Sequence, residues 1–114
     1  MIVLRTEKTL NDYQKLLDKG LNYDFFFNSP AIIEYNYWRL IKNEFPYDAV
    51  ASEHCLLTPN RIFQYDFEMS VEEQAELYDI KRHLEKRFDS IFENFISKRT
   101  FPKHYHLHVI KFKE

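Results

Sequence analysis

Three histidines occupy alternate positions near one end of this sequence: His104, His106 and His108, within KHYHLHVIKF. Imidazole offers two kinds of chemistry here. As a metal ligand it needs companions at coordination distance, but on a strand residues two apart lie about 6.7 Å from each other and residues four apart about 13 Å. Two neighbouring rings can share an ion, and all three cannot without bending the strand. A complete zinc site would draw a further ligand from His54, His83 or a carboxylate. As a nucleophile, imidazole has an unperturbed pKa of about 6.5, so its neutral lone pair is available near neutral pH. One ring nitrogen can attack phosphorus while the other donates to a fixed acceptor, and neighbours on the same face can hydrogen-bond phosphate oxygens and protonate a leaving group. That chemistry calls for no metal and no other cofactor. A row of solvated or structural histidines is the third alternative.

Local charge is compatible with an anionic ligand. Between Lys98 and Lys113 stand Lys98, Arg99, Lys103, Lys111 and Lys113 with no acid, whereas Asp66, Glu68, Glu72, Glu73, Glu76 and Asp79 fall between Gln64 and Ile80 with no base. The histidines therefore lie in a positive stretch that suits a phosphate-bearing molecule, although a basic edge strand gives the same pattern. The net charge of −2 argues against general nucleic-acid binding.

The elements that must position these residues follow from periodicity. His104, His106, His108, Ile110 and Phe112 alternate with Tyr105, Leu107, Val109 and Lys111, which predicts a strand over about 104–112 with an apolar underside. Leu10, Tyr13, Leu16 and Leu17 share one helical face and Gly20 suits a left-handed end, which predicts a helix over about 8–19. Two strands are expected near Phe26 to Ile33 and Tyr35 to Lys42, and a third from His54 to Pro59. Ser70 and Glu73 form a capping box for a second helix carrying Leu77, Ile80 and Leu84. The following FDSIFEN reads either as more helix or as a strand. An antiparallel α+β sheet of about five strands with two helices accommodates this order.

A chain of 114 residues with 45% hydrophobic residues is expected to form a single domain over 1–114. It has no apolar run of membrane-spanning length, and because MIVLRTEKTLND carries charges straight after a very short apolar run, no signal-peptide core is expected. Cys55 is alone, so no internal disulfide forms, and the expected location is the cytoplasm.

HYHLHVI, His104 to Ile110, resembles the His-φ-His-φ-His-φ-φ signature of the histidine triad superfamily, as a compact bacterial-type member. EHCLLTPNR, Glu53 to Arg61, is similar to the family's upstream strand, and KNEFPYDAVASEH to the Asn-x-Phe-Pro segment leading into it. The resemblance runs from about Tyr23 to Phe112 and implies a triad-type α+β fold and a homodimer. It also implies a nucleotide hydrolase or nucleotidyltransferase acting at the α-phosphate of a nucleoside phosphoramidate or dinucleoside polyphosphate. By that resemblance His106 is the nucleophile, His108 contacts the α-phosphate and assists the leaving group, His104 orients the nucleophile and His54 stands nearby. Asn94 would match the phosphate-binding loop asparagine. Phe27, Ile32 and Ile33 would border the base, and Asn36 the ribose. SKRTFPKH departs from the family's Gly-rich loop with Gln-Ser, so Thr100 would supply the hydroxyl and Arg99 or Lys103 the charge. A further family histidine has no counterpart around Lys42. These losses keep open a nucleotide-binding regulatory module with little turnover, and the histidine spacing keeps an HxH metal protein as a further alternative.

Overall fold

The computed structural model describes residues 4–20, 24–99 and 101–114. Helix α1 (Glu7–Lys19) starts at Thr6, whose hydroxyl accepts from the Thr9 amide, and ends at Gly20 with φ +91°. Its predicted apolar face is scarcely used: only Tyr13 is buried, stacked on Phe45 at 5.1 Å, while Leu10 is half exposed. Polar ties hold this helix instead, since Asp48 accepts from the Thr6 amide and from the hydroxyls of Thr6 and Thr9.

The strand expected from Phe26 to Ile33 begins only at Ala31. Asp24–Phe27 forms one helical turn, α2, and β1 spans Ala31–Glu34. Two interactions explain the difference. The Ser29 hydroxyl donates to the Phe25 carbonyl, and the Arg39 guanidinium takes up the carbonyls of Phe26, Phe27 and Ser29, so these backbone groups need no strand partner. Strand β2 (Trp38–Lys42) likewise starts later than Tyr35, because the Asn36 and Tyr37 amides donate to the Glu76 carboxylate in the intervening turn. Strand β3 (Ala51–Pro59) is longer than its sequence signal.

Helix α3 (Val71–Leu84) carries the expected capping box: the Glu73 amide donates to Ser70 Oγ at 3.1 Å and the Ser70 amide to Glu73 Oε1 at 2.7 Å. FDSIFEN resolves as strand, with β4 at Ser90–Phe92. The last strand, β5, covers Leu107–Phe112 rather than the full 104–112. Its expected start is lost because the Tyr105 amide turns away to the Phe63 carbonyl at 2.7 Å.

All strand pairs are antiparallel, in the order β1-β2-β3-β5-β4. The fold is therefore α+β, a five-stranded antiparallel sheet with two substantial helices. Period-two alternation divides the sheet into unlike faces. One face, with Trp38, Leu40, Cys55, Leu57, Leu107 and Val109, packs on Leu77, Ile80 and Leu84 of α3. The other carries Ile41, Leu56, Ile110 and the histidines of β3 and β5, covered by Phe26, Phe101 and Tyr47. Among the described residues no helix is long and apolar enough to cross a membrane.

Candidate functional site

His108 lies deep within the sheet, opposite Leu56 of β3 on one side and Phe92 of β4 on the other. Its ring is stacked on Phe92 at 4.9 Å and on Tyr47 at 5.2 Å. His106, just before β5, packs against Phe26 at 5.3 Å and His108 at 5.4 Å. His104 is sealed from solvent between Phe26 and Phe27, its ring 5.0 and 5.2 Å from theirs, with the Pro59 carbonyl as a backbone partner. His106 Nδ1 lies 3.0 Å from the His104 carbonyl. Because a carbonyl only accepts, Nδ1 carries the proton and the lone pair of the neutral ring sits on Nε2.

Hydrogen-bond logic also fixes the other two rings. The Tyr47 amide donates to His54 Nδ1 at 2.9 Å, so a neutral His54 carries its proton on Nε2. His54 Nε2 lies 2.9 Å from His108 Nδ1, which must then accept, and this puts the His108 proton on Nε2. His108 Nε2 lies 3.2 Å from Asn94 Nδ2. A proton added to His108 Nδ1 would leave His54 Nε2 as an acceptor while its Nδ1 already accepts. A neutral ring cannot do both, so His108 stays neutral while the Tyr47 bond persists.

Electrostatics agree with this arrangement. Burial, reinforced by His106, His54 and Arg5, takes His108 down to about 2. Burial, with Arg5 and His106, takes His54 down to about 4. His104 also falls to about 4, through burial and His106. His106 is lowered by burial, against which its bond to the His104 carbonyl acts. All four imidazoles are therefore uncharged at neutral pH.

His106 and His108 share a cavity of about 50 Å³ with Arg5, Asn94, Lys98 and Arg99. A water needs about 10–15 Å³ on this measure, so the space fits a few water-sized groups, on the scale of phosphate oxygens rather than a nucleoside. Three cations and no carboxylate line it. Arg99 is spoken for by the carbonyls of Asn94 and Gln64, at 3.2 and 2.7 Å, and by Glu93 at 3.7 Å. The arrangement can present an uncharged nucleophilic nitrogen and several N–H donors to an anion.

Of the residues singled out in the sequence, His54, His104, His106, His108 and Asn94 come together. Phe27 touches the His104 ring without lining the cavity. Ile33 packs into the α3 side of the sheet, and Asn36 is exposed in a turn held by Glu76 and Asn60, so neither reaches the histidine face. Ile32 is exposed on the edge strand β1. Thr100 lies outside the described residues. Among the described residues no group of three or more His, Cys, Asp or Glu side chains is arranged to hold a metal ion.

Asn43, Tyr47 and Arg5 were not singled out. Asn43 Oδ1 accepts from the Phe45 amide at 2.9 Å, and its Nδ2 lies 3.4 Å from His54 Nε2. The Asn-x-Phe-Pro segment was the available signal for Asn43. Nothing local marked Arg5, some fifty residues from His54 along the chain.

No family model matches the sequence, and no curated protein matches it. Solved structures do. A histidine triad protein from Clostridium difficile superposes with a TM-score of 0.56 at 18% identity over 90% of both chains. A HIT family hydrolase from Clostridium thermocellum gives 0.55 at 19% identity over 88% of both chains. A protein described as Hit-like gives 0.58 at 15% identity, covering 88% of this chain and 96% of that one. The chain thus has the fold of the histidine triad proteins.

Proposed function

We propose that the chain is a histidine triad protein that transfers or hydrolyses nucleotidyl groups without a metal, through an intermediate on His106. One observation carries the reading: His106 Nδ1 is tied to the His104 carbonyl, which leaves the Nε2 lone pair on a ring lining a cation-lined, acid-free cavity. Nε2 attacks the α-phosphorus of a nucleoside phosphoramidate or dinucleoside polyphosphate as the bond to the leaving group breaks. His108 Nε2–H, the Asn94 amide and the nearby cations hold the phosphoryl oxygens as charge builds on them. The His104 carbonyl balances the positive charge that His106 acquires. Water or another acceptor then adds to phosphorus, the P–N bond breaks with its electron pair returning to Nε2, and the acceptor's proton passes to solvent.

The solved structures with the same fold support this reading, one being described as a hydrolase. It includes a homodimer, a cytoplasmic location and a single domain over 1–114. The test is a mass spectrum of the protein mixed with a panel of nucleoside phosphoramidates and polyphosphates. A nucleotidyl adduct should appear on His106 and vanish, with turnover, in His106→Ala. Turnover that persists in that variant would refute the nucleophile assignment, and tight binding without adduct or product would make the chain a nucleotide-binding module.

A further inference from the structure

The reading above leaves the leaving group open, and the geometry narrows it. The bond from the Tyr47 amide to His54 Nδ1 and the contact from His54 Nε2 to His108 Nδ1 keep His108 neutral. A neutral imidazole can hydrogen-bond through its Nε2–H but is far too weak an acid to hand that proton over near neutral pH. His106 lacks a transferable proton as well, since its only one faces the His104 carbonyl. An amine expelled from phosphorus needs protonation as the P–N bond breaks. A phosphate departs as an anion and needs none.

Arg5 meets the second requirement of an anionic leaving group. Its Nε donates to the Phe45 carbonyl at 2.8 Å, and its guanidinium lies 4.4 Å from the Tyr13 ring centroid and 4.7 Å from that of Tyr47. The planar group is thus held between two rings at the cavity wall, and among the described residues no carboxylate pairs with it. A guanidinium anchored through Nε keeps its two terminal nitrogens for a phosphate, the fork geometry that suits this ligand.

We infer that Arg5 is a specificity-determining residue that holds the phosphate next to the reacting one, so that the site takes nucleoside phosphoanhydrides in preference to phosphoramidates. This rests on the nucleotidyl-transfer reading and refines it. His106 Nε2 forms a bond to the α-phosphorus while the P–O bond to the distal phosphate breaks. The bridging oxygen keeps the electron pair, and the Arg5 guanidinium faces the resulting anion.

The experiment compares ADP and AMP binding by calorimetry in wild type, Arg5→Gln and Arg5→Lys, with GDP and GMP as a second pair. Wild type should prefer the diphosphate on the order of tenfold, the worth of one charge-assisted contact. Arg5→Gln should bring the two within about threefold, and Arg5→Lys should keep part of the difference because charge remains while the stacked fork is lost. Equal binding by wild type, a preference that survives Arg5→Gln, or parallel loss for both ligands would overturn the assignment. Cleavage of adenosine phosphoramidate as fast as that of diadenosine polyphosphate would overturn it too, while leaving a His106 adduct standing. An Arg5-dependent preference without an adduct would uphold the phosphate contact and refute the transfer chemistry.

Discussion

Acidification should destabilise this protein well above the pH at which carboxylates titrate. His54 and His104 are lowered from 6.5 to about 4 and His108 to about 2, in each case chiefly by burial, with Arg5, Arg99 and the other imidazoles acting in the same direction. The unfolded chain takes up protons below 6.5 that the folded chain refuses. Stability is therefore complete above 6.5 and falls as pH drops towards 4. At about pH 5.5 each unfolded imidazole is roughly nine-tenths protonated while its folded counterpart is almost wholly neutral, which removes about 1 to 2 kcal/mol per ring. Because none of the three is charged in the folded state at that pH, their mutual repulsion does not enter, and the losses sum to about 4 kcal/mol. That is a large part of the ~5–15 kcal/mol that holds a domain together. Urea unfolding followed by Trp38 fluorescence should show the midpoint falling by on the order of 2 M between about pH 8 and pH 5.5. Ordinary carboxylates, titrating near pH 4, contribute little over that range. His104→Leu, which keeps an apolar side chain between Phe26 and Phe27, should remove about one third of the shift. A midpoint that barely moves, or an undiminished shift in His104→Leu, would refute the argument that these rings are buried uncharged.

Glu73 is buried and accepts from the Ser70 amide at 2.7 Å and from Arg61 at 2.8 Å. Glu73→Ala should therefore cost on the order of 2 kcal/mol in urea unfolding, whereas Arg61→Ala, which truncates a half-exposed partner and leaves the Ser70–Glu73 cap in place, should cost less. The Cys55 thiol is buried and pushed up to about 11, by burial first and Glu53 second. It should be unreactive towards a thiol reagent in the native protein and react at once in urea; fast native labelling would contradict its position beneath α3.

Much of the architecture could be read from local pattern because it rests on local physics. The Ser70–Glu73 reciprocal cap, the glycine at the end of α1 and the alternation through His108 and Ile110 each depend on neighbours in sequence, and each occurs in the structure. The displaced starts of β1, β2 and β5 have remote causes. Arg39 collects the carbonyls of Phe26, Phe27 and Ser29, Glu76 collects the amides of Asn36 and Tyr37, and Phe63 draws off the Tyr105 amide. Backbone groups satisfied by distant partners carry no mark in their own segment.

The candidate site divides in the same way. Sequence by itself determined the face that His108 and Ile110 share, since a strand's period of two follows from the backbone alone, whereas His104 and His106 precede the strand. Only tertiary structure decided where His54 and His108 carry their protons, because those positions descend from the Tyr47 amide through His54 to His108, across β3 and β5. Tertiary structure also brought Arg5 to the cavity, held by Tyr13, Phe45 and Tyr47. Burial and long-range hydrogen bonds set the charge of an ionisable group, and neither exists until the chain has folded.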